Sequence, residues 1–321
     1  MSMVQASRQQ SAFEAARMYY DEGQTMDAIA STFGISRSTV SRLLRDAREQ
    51  GIVRITLRPP GVRRLADLRS AIAQRYGVRT HVVPTRPDSS ERERLRAVAT
   101  DAAGVVEDLL QPDQVVGIAW GTTVTAVVEQ LTPRPVLGAQ IVQLNGAVNT
   151  EGSGLANVFT VLDRAASRWA ATVHPFPVPA FFDYPSTREA MWRERSVLRV
   201  LEMQRRCRLA VFGVGAFDSE VPSQVHASGY LAEEDLAQLR SDGAVGDVCT
   251  VFLRADGSWR DVRMNTRSSG PSPAALASIP RRVLVASGAR KAVPLRAALR
   301  ADCATDLVLD EATAARLLSL D

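Results

Sequence analysis

The stretch VVGIAWGTTVTAVVEQL, residues 115–131, decides the fold class. Val115–Ala119 reads as a short apolar strand, Gly121-Thr122-Thr123 as a turn, and residues 122–131 as a helix. Outward from it the same alternation runs along most of the chain. Strands are expected at Thr80–Val83, Val115–Ala119, Gln140–Leu144, His174–Val178, Leu209–Val214, Val248–Leu253 and Val283–Ala286, with a last one near Asp306–Leu309. Between them lie helix-length segments rich in Ala, Leu, Glu and Arg at about residues 90–110, 122–131, 155–171, 187–206, 232–240 and 291–300. A linker helix carrying Leu65, Leu68, Ile72 and Tyr76 precedes the first strand. Strands that alternate with helices imply an α/β domain with a mainly parallel sheet covered by helices.

The first 60 residues follow a different pattern. Residues 11–50 read as three short helices. Ser11 and Glu14 have capping-box spacing, and Gly23 stops the first helix. Thr25 caps a second helix, in which Met26, Ile29, Ala30 and Phe33 share one face. Gly34 permits a left-handed turn, and Ser36 caps a third helix whose Val40, Leu43, Leu44 and Ala47 point inward. Small Ala30, the glycine turn and the Val40 wedge have helix-turn-helix spacing. The second helix of that motif presents Arg37, Ser38, Thr39, Ser41, Arg42 and Arg45, with Ser36 at its N-terminus. These are side chains that pair with guanine edges or phosphates. Ile52, Val53, Ile55 and Leu57 suggest a short strand, and Pro59-Pro60-Gly61 marks the domain boundary. The expected organisation is therefore a helix-turn-helix DNA-binding domain at 1–60 and a larger domain at 61–321.

Composition excludes several classes. The 321 residues are 45% apolar and 23% charged, which suits a folded protein and not a disordered one. No apolar run reaches the ~18 residues of a membrane span, and MSMVQASRQQ lacks the apolar core of a secretory leader. The three cysteines, Cys207, Cys249 and Cys303, are scattered, and the three histidines form no cluster with them. Neither a disulfide framework nor a metal site is expected, and a cytoplasmic, cofactor-free protein is. Residues 1–60 carry eight Arg against six acids, so positive charge must be local to the recognition helix. One such unit makes few phosphate contacts, and a homo-oligomer, dimer or tetramer, is expected on a two-fold operator. Of the 39 basic residues only Lys291 is lysine. It sits in Gly288-Ala289-Arg290-Lys291, a strand-to-helix loop of the kind where ligands gather. A lone ammonium in an arginine-rich chain suggests a task that a planar guanidinium does not perform.

Gly121-Thr122-Thr123 offers backbone N–H groups and two hydroxyls at a helix start, a cradle for an anion. Asn145-Gly146-Ala147 leaves the next strand, and Gly243–Asp247 is read as a loop preceding another. Gly213 and Gly215 begin a GxGxxG pattern that Asp218 breaks, and neither a Walker A loop nor a GxSxG elbow is present.

These motifs resemble the sorbitol-operon regulator (SorC) family, whose sugar-binding domain is shared with deoxyribonucleoside and central-glycolytic regulators. The matching stretches are MDAIASTFGISRSTVSRLLRDAREQGIVRI, VVGIAWGTT, IVQLNGAV, GYLAEEDLAQLRSDGAVGDVC, GARKAVPLRAAL and TDLVLDEATAARLL, spread along nearly the whole chain in the family's order. The resemblance implies a transcription factor, commonly tetrameric, controlled by a phosphorylated sugar or polyol. It implies a Rossmann-like α/β effector domain similar to the glucosamine-6-phosphate isomerase fold. By motif, Gly121, Thr122 and Thr123 correspond to the phosphate loop, Asn145 and Gly146 to a second ligand loop, Asp247 to the GAVGD acid and Lys291 to the GxxK lysine. Where relatives often end a strand in FFD, VFLRADG places Arg254 at the usual acid. Asn145 stands where some relatives carry a charged residue, so no Schiff-base effector is expected through that loop. The rival reading is a phosphosugar isomerase or deaminase with an appended helix-turn-helix, which requires a general acid/base. Only His174 and His226 lie in the body of the domain, and neither falls in a matched loop.

Overall fold

The structure, a computed structural model, describes residues 3–50, 52–53, 62–86, 88–147, 154–219, 223–227 and 229–320. The chain divides into two compact units, Met1–Val62 and Arg63–Asp321.

The smaller unit holds α1 (Met3–Ala16), a π-helical turn (Arg17–Asp21), α2 (Met26–Phe33) and α3 (Arg37–Glu49). Thr25 and Ser36 cap α2 and α3, accepting from the N–H groups of Ala28 and Thr39. Gly34 adopts φ 63°, the left-handed turn conformation that a Cβ disfavours. Ala12, Ala15, Ile29, Val40, Leu44 and Ala47 form the core between the helices. Ser11 does not begin the first helix, which starts eight residues upstream at Met3. The Ala, Gln and Arg residues ahead of Ser11 are good helix formers, and no Gly or Pro interrupts them. Glu14 pairs with Arg17 at 3.1 Å instead of closing a capping box. Ile52 and Val53 pack on this core, while the rest of the expected strand and the boundary at 59–61 lie outside the described residues.

The larger unit begins with α4 (Val62–Tyr76), β1 (Arg79–Val83), α5 (Glu91–Leu109), β2 (Val115–Ile118), α6 (Thr122–Gln130) and β3 (Gln140–Gln143). It continues with α7 (Gly154–Trp169), β4 (Thr172–His174), α8 (Pro185–Met191), α9 (Arg195–Arg205), β5 (Leu209–Gly213) and β6 (Gly215–Ala216). Next come α10 (Gln224–Ala227), α11 (Glu233–Ser241), β7 (Ala244–Val248), β8 (Val251–Arg254) and α12 (Pro273–Ala277). The chain closes with β9 (Arg281–Ala286), α13 (Ala292–Arg300), β10 (Asp306–Asp310) and α14 (Glu311–Leu318). Seven strands form one parallel sheet in the order β1-β10-β9-β5-β2-β3-β4.

The central strands β2 and β5 are apolar throughout because both faces are covered, while the other strands carry polar residues mainly at their ends. Successive residues split between two cores: Val116, Ile118, Val211 and Val285 face the α5–α7 side. Val115, Ala210, Phe212 and Leu284 face the side of α4, α13 and α14.

Three expectations are corrected here. The strand expected at His174–Val178 is β4, which covers Thr172–His174 and ends where that stretch begins. The segment 187–206 is two helices, α8 and α9, separated at Trp192–Glu194 without a glycine or proline to mark the break. The GAVGD segment is not a loop, and Val248–Leu253 is not one strand. Residues 244–254 form the antiparallel hairpin β7–β8, which with β6 makes a second sheet of three strands. Its turn is Cys249-Thr250, both at positive φ (49° and 69°), conformations usually announced by Asn-Gly. Gly246 permits the hairpin to close on β6, since a Cβ there would lie 2.2 Å from the Gly215 carbonyl oxygen.

Candidate functional site

The sheet order places the site. From β2 the chain winds outward through β3 and β4, and then β5 inserts on the opposite side of β2. The direction of winding reverses between β2 and β5, and ligands of open α/β sheets bind outside the strand ends at such a reversal. A cleft lies there. Its walls are Trp120–Val124 after β2, Asn145 after β3, Gly213–Gly215 at the end of β5, and Ser223 with Gln224 and Val225 of α10. Asp247, Cys249 and Thr250 of the hairpin and Lys291 after β9 complete it. The cleft therefore gathers Gly121, Thr122, Thr123, Asn145, Asp247 and Lys291 from separate parts of the sequence.

Lys291 is 5% exposed, and among the described residues its ammonium has one hydrogen-bond acceptor, Thr123 Oγ1 at 3.4 Å. Burial pushes its pKa below the usual lysine value, while Glu91 and Asp247 pull it back up. A buried cation with one long hydrogen bond is costly to the fold. Thr123 stands in the first turn of α6, whose leading N–H groups have no acceptor within the helix. Gly288, at φ 104°, starts the lysine turn, and its N–H donates to Asp310 at 3.0 Å. Asp310 also caps α14, which accounts for the acid near 310.

Asp247 is buried and one of its oxygens accepts the Thr250 N–H at 3.1 Å. The site depends on Gly215 beside it, where a Cβ would lie 2.0 Å from Asp247 Oδ1. The left-handed φ of Thr250, rare for a β-branched residue, puts backbone strain at the wall of the cleft. Burial raises the Cys249 thiol well above its ordinary value, so it stays a neutral wall residue and not a nucleophile.

Asn145 is 2% exposed, and its Oδ1 makes no hydrogen bond among the described residues. A buried acceptor left without a donor is uncommon in folded proteins. Its backbone is fixed by groups that sequence reasoning did not single out. Gln143 donates to the Asn145 carbonyl at 2.7 Å, and Gln204 donates to the carbonyls of Gln143 and Leu144 at 2.8 and 3.0 Å. The Trp120 indole donates to the Gly146 carbonyl at 2.8 Å and stacks on Tyr230, which in turn donates to Ala147. Gly146 itself does not line the cleft. Its N–H donates to Ser269 Oγ at 2.9 Å, and a Cβ would lie 2.4 Å from the Val178 and Pro179 carbonyls. It is a close-approach glycine that sets the loop path. These partners lie 60 or more residues away in most cases, beyond any local pattern; Gly146 next to a strand end was the one visible sign.

Arg254 lies outside the cleft and braces the hairpin, donating to the carbonyls of Asp242 and Asp261. His174 bonds Gln140 at the sheet edge, and no histidine lines the cleft among the described residues. Among the described residues no helix is long and apolar enough to cross a membrane, and no metal-ligating cluster forms.

In the smaller unit, Ser36, Arg37, Ser38, Ser41, Arg42 and Arg45 are exposed and Thr39 is half-buried on α3. The Ser36 hydroxyl is engaged by Ser38 and Thr39 at 2.8 and 2.9 Å as well as by the cap. Arg42 reaches Thr39 at 3.5 Å, and Arg37 and Arg45 sit 3.7 and 3.9 Å from Asp27 and Glu49. These exposed pairs are weak, which leaves the guanidinium groups available to phosphate or base.

A helix-turn-helix unit joined to an α/β domain with a cleft at its winding reversal defines the class of ligand-responsive transcriptional regulators. The family model described as "Putative sugar-binding domain" matches residues 61–319, and that of "Sigma-70, region 4" matches residues 14–50. The chain belongs to the SorC family of sugar-binding transcriptional regulators. It is 31% identical to the deoxyribonucleoside regulator of Bacillus subtilis over 97% of this chain and 98% of that protein. A solved domain of a possible sugar-binding transcriptional regulator from Arthrobacter aurescens is 44% identical. It superimposes with TM-score 0.75, covering 82% of this chain and 100% of its own. The full-length sorbitol operon regulator SorC of Klebsiella pneumoniae is 26% identical with TM-score 0.71, over 97% of this chain and 99% of its own.

Proposed function

We propose that this regulator binds operator DNA through α3 and answers to a phosphorylated sugar or polyol held in the cleft between β2 and β5. The observation that carries the reading is Lys291, a buried ammonium beside Thr123 in the first turn of α6. A phosphate there gains the ammonium, the hydroxyls of Thr122 and Thr123 and the N–H groups of a helix start in one place. Asp247 and Asn145 Oδ1 are acceptors, suited to the hydroxyls of a polyol and not to its phosphate. Gly121 supplies the positive-φ backbone (φ 139°), a conformation that favours glycine, at the start of the helix, and Gly146 sets the path of the Asn145 loop.

The cleft measures about 50 Å³, less than the several hundred Å³ usual for organic ligands, so binding requires its walls to part. The short α10, of four residues, contributes Gln224 and Val225 to one wall beside Ser223. A ligand that prefers the parted arrangement shifts the population of the regulator by its difference in affinity for the two states. The chain acts by binding and not by turnover, in the cytoplasm, as a homo-oligomer, dimer or tetramer, whose paired α3 helices meet a two-fold site. Domain 1–60 is its DNA-binding part and 61–321 its effector-binding and oligomerisation part. Ser36, Arg37, Ser38, Thr39, Ser41, Arg42 and Arg45 form the DNA-facing set.

Footprinting of the purified protein on the promoter region next to its own gene tests this. A protected two-fold sequence whose occupancy changes with a phosphosugar is the expected result. Protection indifferent to every phosphosugar and phosphorylated polyol defeats the effector half of the reading.

A further inference from the structure

A second cleft, of about 310 Å³, backs onto the same Asn145–Gly146 loop. Arg188 and Arg205 line it, and among the described residues no acid does. Arg205 is paired with Glu202 at 3.0 Å at the exposed rim, but the half-buried Arg188 makes no hydrogen bond or ion pair through its guanidinium among the described residues. That group packs on the Trp192 ring, 4.8 Å from its centroid, and its Nε is buried without an acceptor. Desolvation disfavours its charge and the neighbouring, exposed Glu189 offsets this only in part; a guanidinium stays protonated, so the cleft keeps a cation with no hydrogen-bonded counter-ion among the described residues. Trp259 gives a further apolar wall. A planar fork facing an aromatic-lined cavity matches a carboxylate or phosphate joined to a flat or compact apolar body.

We propose that this cleft is a second ligand site, taking a small organic oxyanion whose negative end engages Arg188 and whose body lies against Trp192 and Trp259. Two of its lining residues connect it to the first site. Gln204 and Ser269 hold the loop that carries Asn145, through the Gln143 and Leu144 carbonyls and the Gly146 N–H respectively. An occupant of the second cleft therefore touches the side chains that position the first.

The test uses the full chain carrying Lys291→Met, which silences the first cleft, titrated separately with benzoate and inorganic phosphate. The readout is tryptophan emission, since Trp192 and Trp259 are two of the four tryptophans. Saturable binding of either anion is expected. Benzoate alone indicates a carboxylate on a flat body, and phosphate alone a phosphate ester. Arg188→Gln should weaken binding at least about tenfold, the loss of a charge-assisted hydrogen bond. Ala275→Phe, which fills the cleft from an exposed position on its rim, should abolish it. No saturable response to either anion overturns the proposal, as does a response that survives both substitutions. A change of oligomeric state by sedimentation velocity in Arg188→Gln or Ala275→Phe, with no anion response, also overturns it, because the cleft is then an interface between copies.

Discussion

Replacing Lys291 with Met removes one charge and keeps most of the side-chain volume. Within the protein the ammonium has a single 3.4 Å hydrogen bond to Thr123, so little internal bonding is lost. The loss falls on the ligand. A charge-assisted hydrogen bond is worth about 1.5–3 kcal/mol, and a loss of about 2 kcal/mol lowers affinity about 30-fold. Effector at about 100 times its Kd stabilises the wild-type protein by about 2.7 kcal/mol; the same concentration is then about three times the variant's Kd and gives about 0.8 kcal/mol. At about 2–4 °C per kcal/mol for a unit of this size, the effector-induced rise in Tm falls from about 5–11 °C to about 2–3 °C. A thermal-shift titration of both proteins with the effector measures the difference. An undiminished rise in the variant refutes the role of the lysine. A ligand-free variant that melts far below the wild type shows Lys291 to be a structural strut instead.

The same lysine sets a pH dependence. Burial lowers its pKa in the folded chain below the ordinary 10.5, so the unfolded chain holds more protons between those two values. Its penalty on folding is fully present below the folded pKa and is relieved as pH rises toward 10.5; urea unfolding should show wild-type stability gaining on Lys291→Met over that range, and a constant difference would contradict it. Gly215→Ala forces a Cβ to within 2.0 Å of Asp247 and should cost about 1–3 kcal/mol together with effector binding, read by denaturation and by the effector-induced Tm rise. Retained binding would separate Asp247 from the site. Arg42→Ala and Arg45→Ala, both exposed on α3, should leave Tm unchanged and weaken operator binding by about 1–3 kcal/mol each in fluorescence anisotropy. Loss of folding would refute their surface placement.

Much of this was legible in the sequence, and what was not has physical causes. The strands of the parallel sheet announce themselves because burial on both faces demands continuous apolar runs, as in Val115–Ile118 and Leu209–Val211. The helix-turn-helix is legible because Thr25, Gly34 and Ser36 do local work, capping and turning within a few residues. The β7–β8 hairpin was hidden because Cys249-Thr250 takes a conformation its side chains disfavour, held by tertiary contacts such as the Thr250–Ser268 hydroxyl pair at 3.0 Å. In the cleft, Lys291 stood out by composition and Gly121–Thr123 by their place at a helix start. Gln143, Gln204, Ser269 and Tyr230 did not, because their roles depend on partners remote in sequence and nothing local distinguishes a loop-bracing glutamine from a surface one.

The most direct test of the central claim is isothermal titration calorimetry of the purified protein with matched pairs of sugars and polyols and their phosphate esters. A phosphate ester should bind once per chain, at least about tenfold tighter than its unphosphorylated parent, as the loss of one charge-assisted contact requires. Equal affinity for a parent sugar and its phosphate, or binding of the parent alone, would contradict a phosphate seat formed by Lys291 and the first turn of α6.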